Sequence, residues 1–126
     1  MSNDTRHPDI QQALETDRVI DITTTGRSSG RPRRIEIWFH RVDGRFYITG
    51  TPGRRSWYAN LIAHPDFTFH LKHSAQADLP ATATPITDPA EHARITGAIV
   101  AGLGGRVTLD ATSPLVEVTF PAAAAA

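Results

Sequence analysis

The stretch VIDITTTGRSSGRPRRIEIWFHRVDGRFYITG, Val19 to Gly50, decides the fold. Val19 to Thr25 is β-branched at every position but Asp21, and a glycine follows, which reads as a strand that stops at Gly26. Gly26 to Pro32 gathers Gly, Ser and Pro into a turn. In Arg33 to Val42 the apolar Ile35, Ile37 and Phe39 alternate with Glu36, Trp38 and His40, the period of two that gives a sheet distinct faces. Asp43-Gly44 is a hairpin turn, since both positions tolerate positive φ. Arg45 to Thr49 is the returning strand, with Phe46 and Ile48 on one side and Tyr47 on the other. Three successive strands joined by tight turns form a meander.

Working outward, residues 1–8 read as a loose arm. Asp9 is the expected cap of a short helix running to about Arg18, with Ile10, Ala13 and Leu14 as its apolar edge. Thr51-Pro52-Gly53 breaks the third strand. Ser56 is the expected N-cap of a helix Trp57 to Ala63, stopped before Pro65. Asp66 to His73 is a strand with Phe67, Phe69 and Leu71 in step. Gln76 to Thr87 is another, and Pro80 within it implies an edge or a bulge. Asp88 caps a helix from Pro89 to about Ala101, ended by Gly102, Gly104 and Gly105. Leu115 to Phe120 closes the chain as a sixth strand. Six short strands with few helices predict a mainly β (α+β) fold, a small antiparallel barrel rather than βαβ units. At 126 residues the chain reads as one domain, 1–126, with flexible ends at 1–8 and 121–126.

Thirteen basic and thirteen acidic residues cancel, so net charge makes no case for nucleic acid as a partner. The distribution is another matter. Arg27, Arg31, Arg33, Arg34, Arg41, Arg45, Arg54 and Arg55 crowd into one stretch that holds only Glu36 and Asp43 as acids. The chain has no cysteine, which removes disulfides, thiolate metal sites and cysteine nucleophiles, and suits a cytoplasmic location. Residues 1–17 lack the apolar segment of a signal peptide, and no run approaches the ~20 apolar residues of a spanning helix.

Two segments carry candidate chemistry. In the turn TTTGRSSGRPRR, Thr23 to Arg34, backbone N–H groups and hydroxyls of Gly26, Ser28, Ser29 and Gly30 suit an anion, with guanidinium charge beside them. A solvated turn that keeps a sheet edge soluble explains the same residues equally well. In TPGRRSWYANL, Thr51 to Leu61, two arginines lead into a helix N-terminus, whose unpaired N–H groups favour anions. Trp57 and Tyr58 in its first turn are placed to flank a planar ring, or Trp57 packs with Leu61 in the core. The six histidines form no ligand motif and read as scattered over the surface. Asp110 and Ser113 lack the setting of a hydrolase nucleophile.

Taken together, TTTGRSSGRPRRIEIWF, DGRFYITG and GRRSWYANLIAHP resemble the deazaflavin-dependent nitroreductase family, within the flavin and deazaflavin oxidoreductases of the FMN-binding split-barrel superfamily. The resemblance spans roughly Val19 to Leu71. It implies a six-stranded antiparallel split β-barrel with short flanking helices, and a homodimer. It also implies coenzyme F-420, an 8-hydroxy-5-deazaflavin bearing a phosphate and an oligoglutamate tail. By position, Arg27, Ser28, Ser29 and Arg31 would face the phosphate and tail, with Arg33 or Arg34 near them. Gly50, Thr51, Pro52, Gly53, Arg54 and Arg55 would lie along the ring, flanked by Trp57 and Tyr58. Tyr58 is the candidate catalytic residue, orienting the acceptor or relaying a proton. The implied reaction is hydride transfer to an electron-poor small molecule such as a quinone, a nitro compound or an activated alkene. The alternatives are an FMN enzyme of the same fold, or a non-catalytic barrel that binds flavin or haem.

Overall fold

The computed structural model describes residues 5–53 and 55–121, which form three helices and six strands. In chain order these are α1 (Pro8–Thr16), β1 (Val19–Thr25), β2 (Pro32–Val42), β3 (Arg45–Thr49), α2 (Ser56–Ala63), β4 (Asp66–Leu71), β5 (Ala77–Pro85), α3 (Pro89–Gly102) and β6 (Leu115–Thr119). The strands close into an antiparallel barrel in the order β1-β2-β3-β6-β5-β4. This is the six-stranded split barrel, and two long strands explain how it closes. β2 pairs with β1 over Pro32–Trp38 and with β3 over Phe39–Val42. β5 pairs with β4 over Ala77–Thr82 and with β6 over Thr82–Pro85. Each therefore turns a corner and serves both halves of the barrel. Pro80 falls where β5 has a neighbour on one side only, in register with Thr68 and without a bulge. A residue lacking an N–H is tolerated there because no second ladder needs it.

The interior is filled by inward positions from every strand, with Ile20, Ile22, Phe39, Ile48, Phe69, Leu79 and Val116 almost fully buried. Phe69 meets Phe39 and Phe120 edge to face, with centroids 5.1 and 5.2 Å apart. α1 closes the barrel with Ile10, Ala13 and Leu14. The other face of β3 is not solvated. Tyr47, Val42 and Leu115 pack there against Ile95 and Ile99 of α3, making a second apolar cluster. α3 is thus held by its own small core, with one side left to form a cavity wall.

Several local expectations need correction. α1 starts at Pro8, inside the arm expected to be loose, and His7 rather than Asp9 caps it: the ring Nδ1 accepts from Asp9 N at 3.2 Å. Proline at the first helical position lacks only an N–H that would be unsatisfied anyway. α2 starts at Ser56 itself, with Arg55 as its cap residue and no side-chain cap bond. β4 stops at Leu71, because Asp17 accepts from both the backbone N–H and the hydroxyl of Ser74 and draws the chain into a turn. The histidines are not all on the surface. His70 is buried between Thr23 Oγ1 and Asp78 Oδ1, 2.7 Å from each, and His92 is buried under α3. Of the flexible ends expected at 1–8 and 121–126, residues 1–4 and 122–126 lie outside the described residues, as does Arg54.

Candidate active site

The turn between β1 and β2 has a closed internal structure. Gly26 N–H donates to Arg31 O and Gly30 N–H donates to Gly26 O, both at 2.8 Å. Arg31 N–H donates to Ser29 Oγ at 3.1 Å. A Cβ on Gly26 would stand 2.4 Å from that same Ser29 Oγ and 3.3 Å from Arg31 O. Gly30 has φ 69°, in the left-handed region. Both glycines are therefore set by the path of the turn.

Asn60 of α2 fixes this turn to the helix. Its Oδ1 accepts from Arg27 N–H at 3.0 Å, and its Nδ2 donates to Thr24 Oγ1 at 3.1 Å. The carboxamide is buried, and both its ends are used, so its orientation is set. A cavity of about 510 Å³ lies between turn and helix, and Arg27, Ser28, Ser29, Arg33, Arg55 and Tyr58 are among the residues that line it. Among the described residues no carboxylate lies within ion-pair distance of Arg27, Arg31 or Arg33. Four arginines elsewhere are paired: Arg34 with Asp21, Arg41 with Glu15, Arg45 with Glu117, and Arg94 with Asp43 and Glu91.

Strand period decides which arginine enters. Arg33 is opposite Thr24, whose side chain is buried, while Arg34 is opposite Thr23 on the other face. Arg34 therefore joins an outer network in which Lys72 also bonds Asp21 and Glu36. The Lys72 ammonium hydrogen bond, helped by Arg34, holds the Asp21 carboxyl below its ordinary range.

A second cavity, of about 1000 Å³, adjoins the first at Tyr58, which lines both. Its walls are the exposed side of α3, the segment 109–115 and Gly53, and they are mostly apolar, with Ile86, Val100, Leu109 and Pro114 prominent. Segment 109–115 is braced from within. Asp110 Oδ1 accepts from Thr112 N–H and Oγ1–H at 2.7 and 2.6 Å, which holds its carboxyl below the ordinary range. Ser113 Oγ accepts from Asp110 N–H at 3.0 Å, and Thr49 Oγ1–H donates to Pro114 O at 2.6 Å.

The sequence candidates thus separate. Arg27, Ser28, Ser29, Arg33, Arg55 and Tyr58 come together around the basic cavity. Gly53, with φ 116°, lines the apolar one. Arg31 is exposed at the end of the turn and Arg34 faces outward, and neither lines a cavity. Gly50 packs behind the site, where a Cβ would stand 3.6 Å from Trp57 Cζ2. Thr51 accepts a hydrogen bond from the Arg55 guanidinium, and Pro52 lines neither cavity. Trp57 is core: it is buried, and it meets Tyr58 edge-on at 5.9 Å instead of presenting its own face to a ligand.

Asn60 and His92 were missed. A signal existed for each, a polar residue on a helix's apolar stripe: Trp57, Asn60 and Leu61 in α2, and His92, Ile95, Thr96 and Ile99 in α3.

Residues 3–108 match the model of the family described as F-420H(2)-dependent quinone reductase. Among solved structures, a conserved hypothetical protein of Mycobacterium tuberculosis is 17% identical, with 96% of this chain and 81% of that chain covered and a TM-score of 0.69. An FAD-binding protein of Mesorhizobium loti is 13% identical over 87% and 86% of the two chains, with a TM-score of 0.62. A structure described as a domain-swapped dimer is 22% identical over 82% and 81%, with a TM-score of 0.58. At these identities the likeness concerns the fold.

Proposed function

Because the chain belongs to the F-420H(2)-dependent quinone reductase family, with coenzyme F-420 as its cofactor, we propose that its two adjoining cavities divide the work of a two-electron reduction. The basic cavity holds the coenzyme's phosphate and oligoglutamate tail, and the apolar cavity receives the electron-poor acceptor. One observation carries this reading: the guanidinium groups of Arg27 and Arg33, with no carboxylate at ion-pair distance among the described residues, line one cavity, and a mostly apolar cavity continues from it past Tyr58.

The residues fit a polyanion. Arg27 and Arg33 offer planar donors, Ser28 and Ser29 offer hydroxyls, and Asn60 keeps the turn in place beneath them. Burying a phosphate among arginines already neutralised by carboxylates would gain little. Here the pairing is left for the ligand. When bound, the reduced deazaflavin supplies the hydride. The chain contributes binding, orientation and exclusion of water. Tyr58 touches both cavities and orients what lies across the boundary, while the walls of α3 and segment 109–115 keep the acceptor's surroundings apolar. Quinones, nitro compounds and activated alkenes all suit such a site, and a quinone agrees with the family. Catalysis by a homodimer in the cytoplasm belongs to the same reading. It is supported by the absence of cysteine and by the dimeric description of one structural neighbour. No helix among the described residues is long and apolar enough to cross a membrane.

The test is equilibrium binding by fluorescence and anisotropy, with oxidised F-420, FMN, flavin adenine dinucleotide and haem compared on one preparation. The expected result is micromolar or tighter binding of F-420, weakened by salt, with turnover of a quinone on adding the reduced form. Preference for FMN, or no F-420 signal at micromolar protein, rejects the reading.

A further inference from the structure

His92 is the fourth residue of α3 and is 9% exposed, yet it lines the apolar cavity. Its Nε2 is 2.7 Å from the Ser113 carbonyl oxygen. A carbonyl only accepts, so Nε2 carries the proton and donates. Among the described residues Nδ1 has no hydrogen-bond partner. No buried side-chain nitrogen or oxygen there lacks a partner, so Nδ1 is accessible rather than sealed. The imidazole is thus anchored by one nitrogen to a braced segment at the wall of a mostly apolar cavity, with the other nitrogen unpartnered among the described residues.

We infer that His92 is a catalytic residue, the acid that protonates the acceptor through Nδ1. This rests on the assignment of the apolar cavity to the acceptor. Two-electron reduction of a quinone needs a hydride and then a proton on each anionic oxygen not already protonated. The hydride and its electron pair come from the family's reductant. The imidazolium Nδ1–H bond breaks as an O–H bond forms on the acceptor, and the electron pair of the N–H bond stays on nitrogen. Neutral His92 keeps its Nε2–H bond to Ser113 throughout, so the ring need not move. Solvent at the cavity mouth returns the proton.

The charged groups nearby are the N-terminal end of α3, its N-cap Asp88 and first-turn Glu91, and Asp110 on the cavity wall. Tyr58 is the remaining titratable group on the cavity wall. A general acid acts in its protonated form, so turnover should fall toward alkaline pH.

The experiment compares wild type with His92→Gln and Tyr58→Phe, using duroquinone, whose ring carries no free position for adduct formation. Gln keeps a donor for Ser113 O but is no acid. Expected for His92→Gln are an unchanged melting temperature, an F-420 Kd within about twofold of wild type, a fall of about 100-fold in kcat, and loss of the alkaline limb of the pH profile. Tyr58→Phe should keep that limb whatever its rate. A limb that persists in His92→Gln, or vanishes only in Tyr58→Phe, overturns the inference. A second measurement needs no coenzyme: duroquinone added to protein labelled with nitrogen-15 in histidine should shift the Nδ1 resonance of His92. No shift at millimolar duroquinone overturns the inference too. If F-420 fails to bind wild type, the proposed function falls, and the resonance measurement alone then decides whether His92 meets a quinone.

Discussion

The two cavities that share Tyr58 are built on opposite principles. The basic one is made of backbone turns and charged side chains, held by hydrogen bonds at fixed lengths: Gly26 to Arg31, Arg27 to Asn60, Asn60 to Thr24. The apolar one is made of a helix side and a braced loop, with small residues such as Ala93 and Gly97 leaving room. The first is specific in chemistry and tolerates little displacement. The second is permissive in chemistry and is limited by volume. The proposed division of work, one coenzyme held beside a site for electron-poor acceptors, uses that asymmetry. The arginines teach the same lesson, since Arg34, Arg41 and Arg45 on the barrel's exterior are neutralised locally while Arg27 and Arg33 are not.

The strongest way to break this contrast is to remove charge from the basic cavity. Arg27→Ala and Arg33→Ala should each weaken F-420 binding by roughly 1.5–3 kcal/mol, measured by anisotropy titration. Arg31→Ala, further from the cavity, should do less. Arg94→Ala, whose guanidinium pairs with Asp43 and Glu91, should leave binding unchanged. Equal effects at Arg27 and Arg94 would mean that the cavity is not the coenzyme site.

Removing the brace beneath the turn should act on both stability and one cavity only. Asn60→Ala strands Arg27 N–H and the buried Thr24 hydroxyl, at a cost of about 2 kcal/mol in unfolding free energy. Denaturant melts should report that loss, F-420 affinity should fall several-fold, and duroquinone affinity at the apolar cavity should hold. A parallel loss at both cavities would deny their independence.

The smallest effect is expected in the permissive cavity. Gly97 lies in the interior of α3, lines the cavity wall, and a Cβ there would meet nothing within 4 Å. Gly97→Ala should stabilise the fold by about 0.5–1 kcal/mol through helix propensity. It should leave F-420 affinity unchanged and penalise bulky quinones relative to small ones. Comparison of kcat/KM across a quinone series of increasing size checks the last point.

Which of these features could be read beforehand follows from the range of the forces involved. Strands β1, β2 and β3, the Asp43-Gly44 turn and the Asp88 cap of α3 were all legible, because alternation, positive-φ turns and caps are local. The barrel's closure was legible as a class, from strand count and spacing. Arg33 could not be separated from Arg34 without the register, because adjacent positions on a strand face opposite sides, and only pairing with β1 says which side is inward. Trp57 could not be separated from Tyr58 without the rotation of α2. Asn60 and His92 look like ordinary helix polar residues until a turn thirty-three positions away and a carbonyl twenty-one positions away arrive beside them.

By itself, then, the order of residues determined a small antiparallel barrel, a concentration of guanidinium charge around two loops, and the absence of thiol chemistry. Tertiary structure alone decided which of those charges stay unpaired, which aromatic ring reaches a cavity, and which buried polar atoms face it. The physical reason is that backbone preference is settled over a few residues, whereas neutralisation, burial and access depend on groups that only folding makes neighbours.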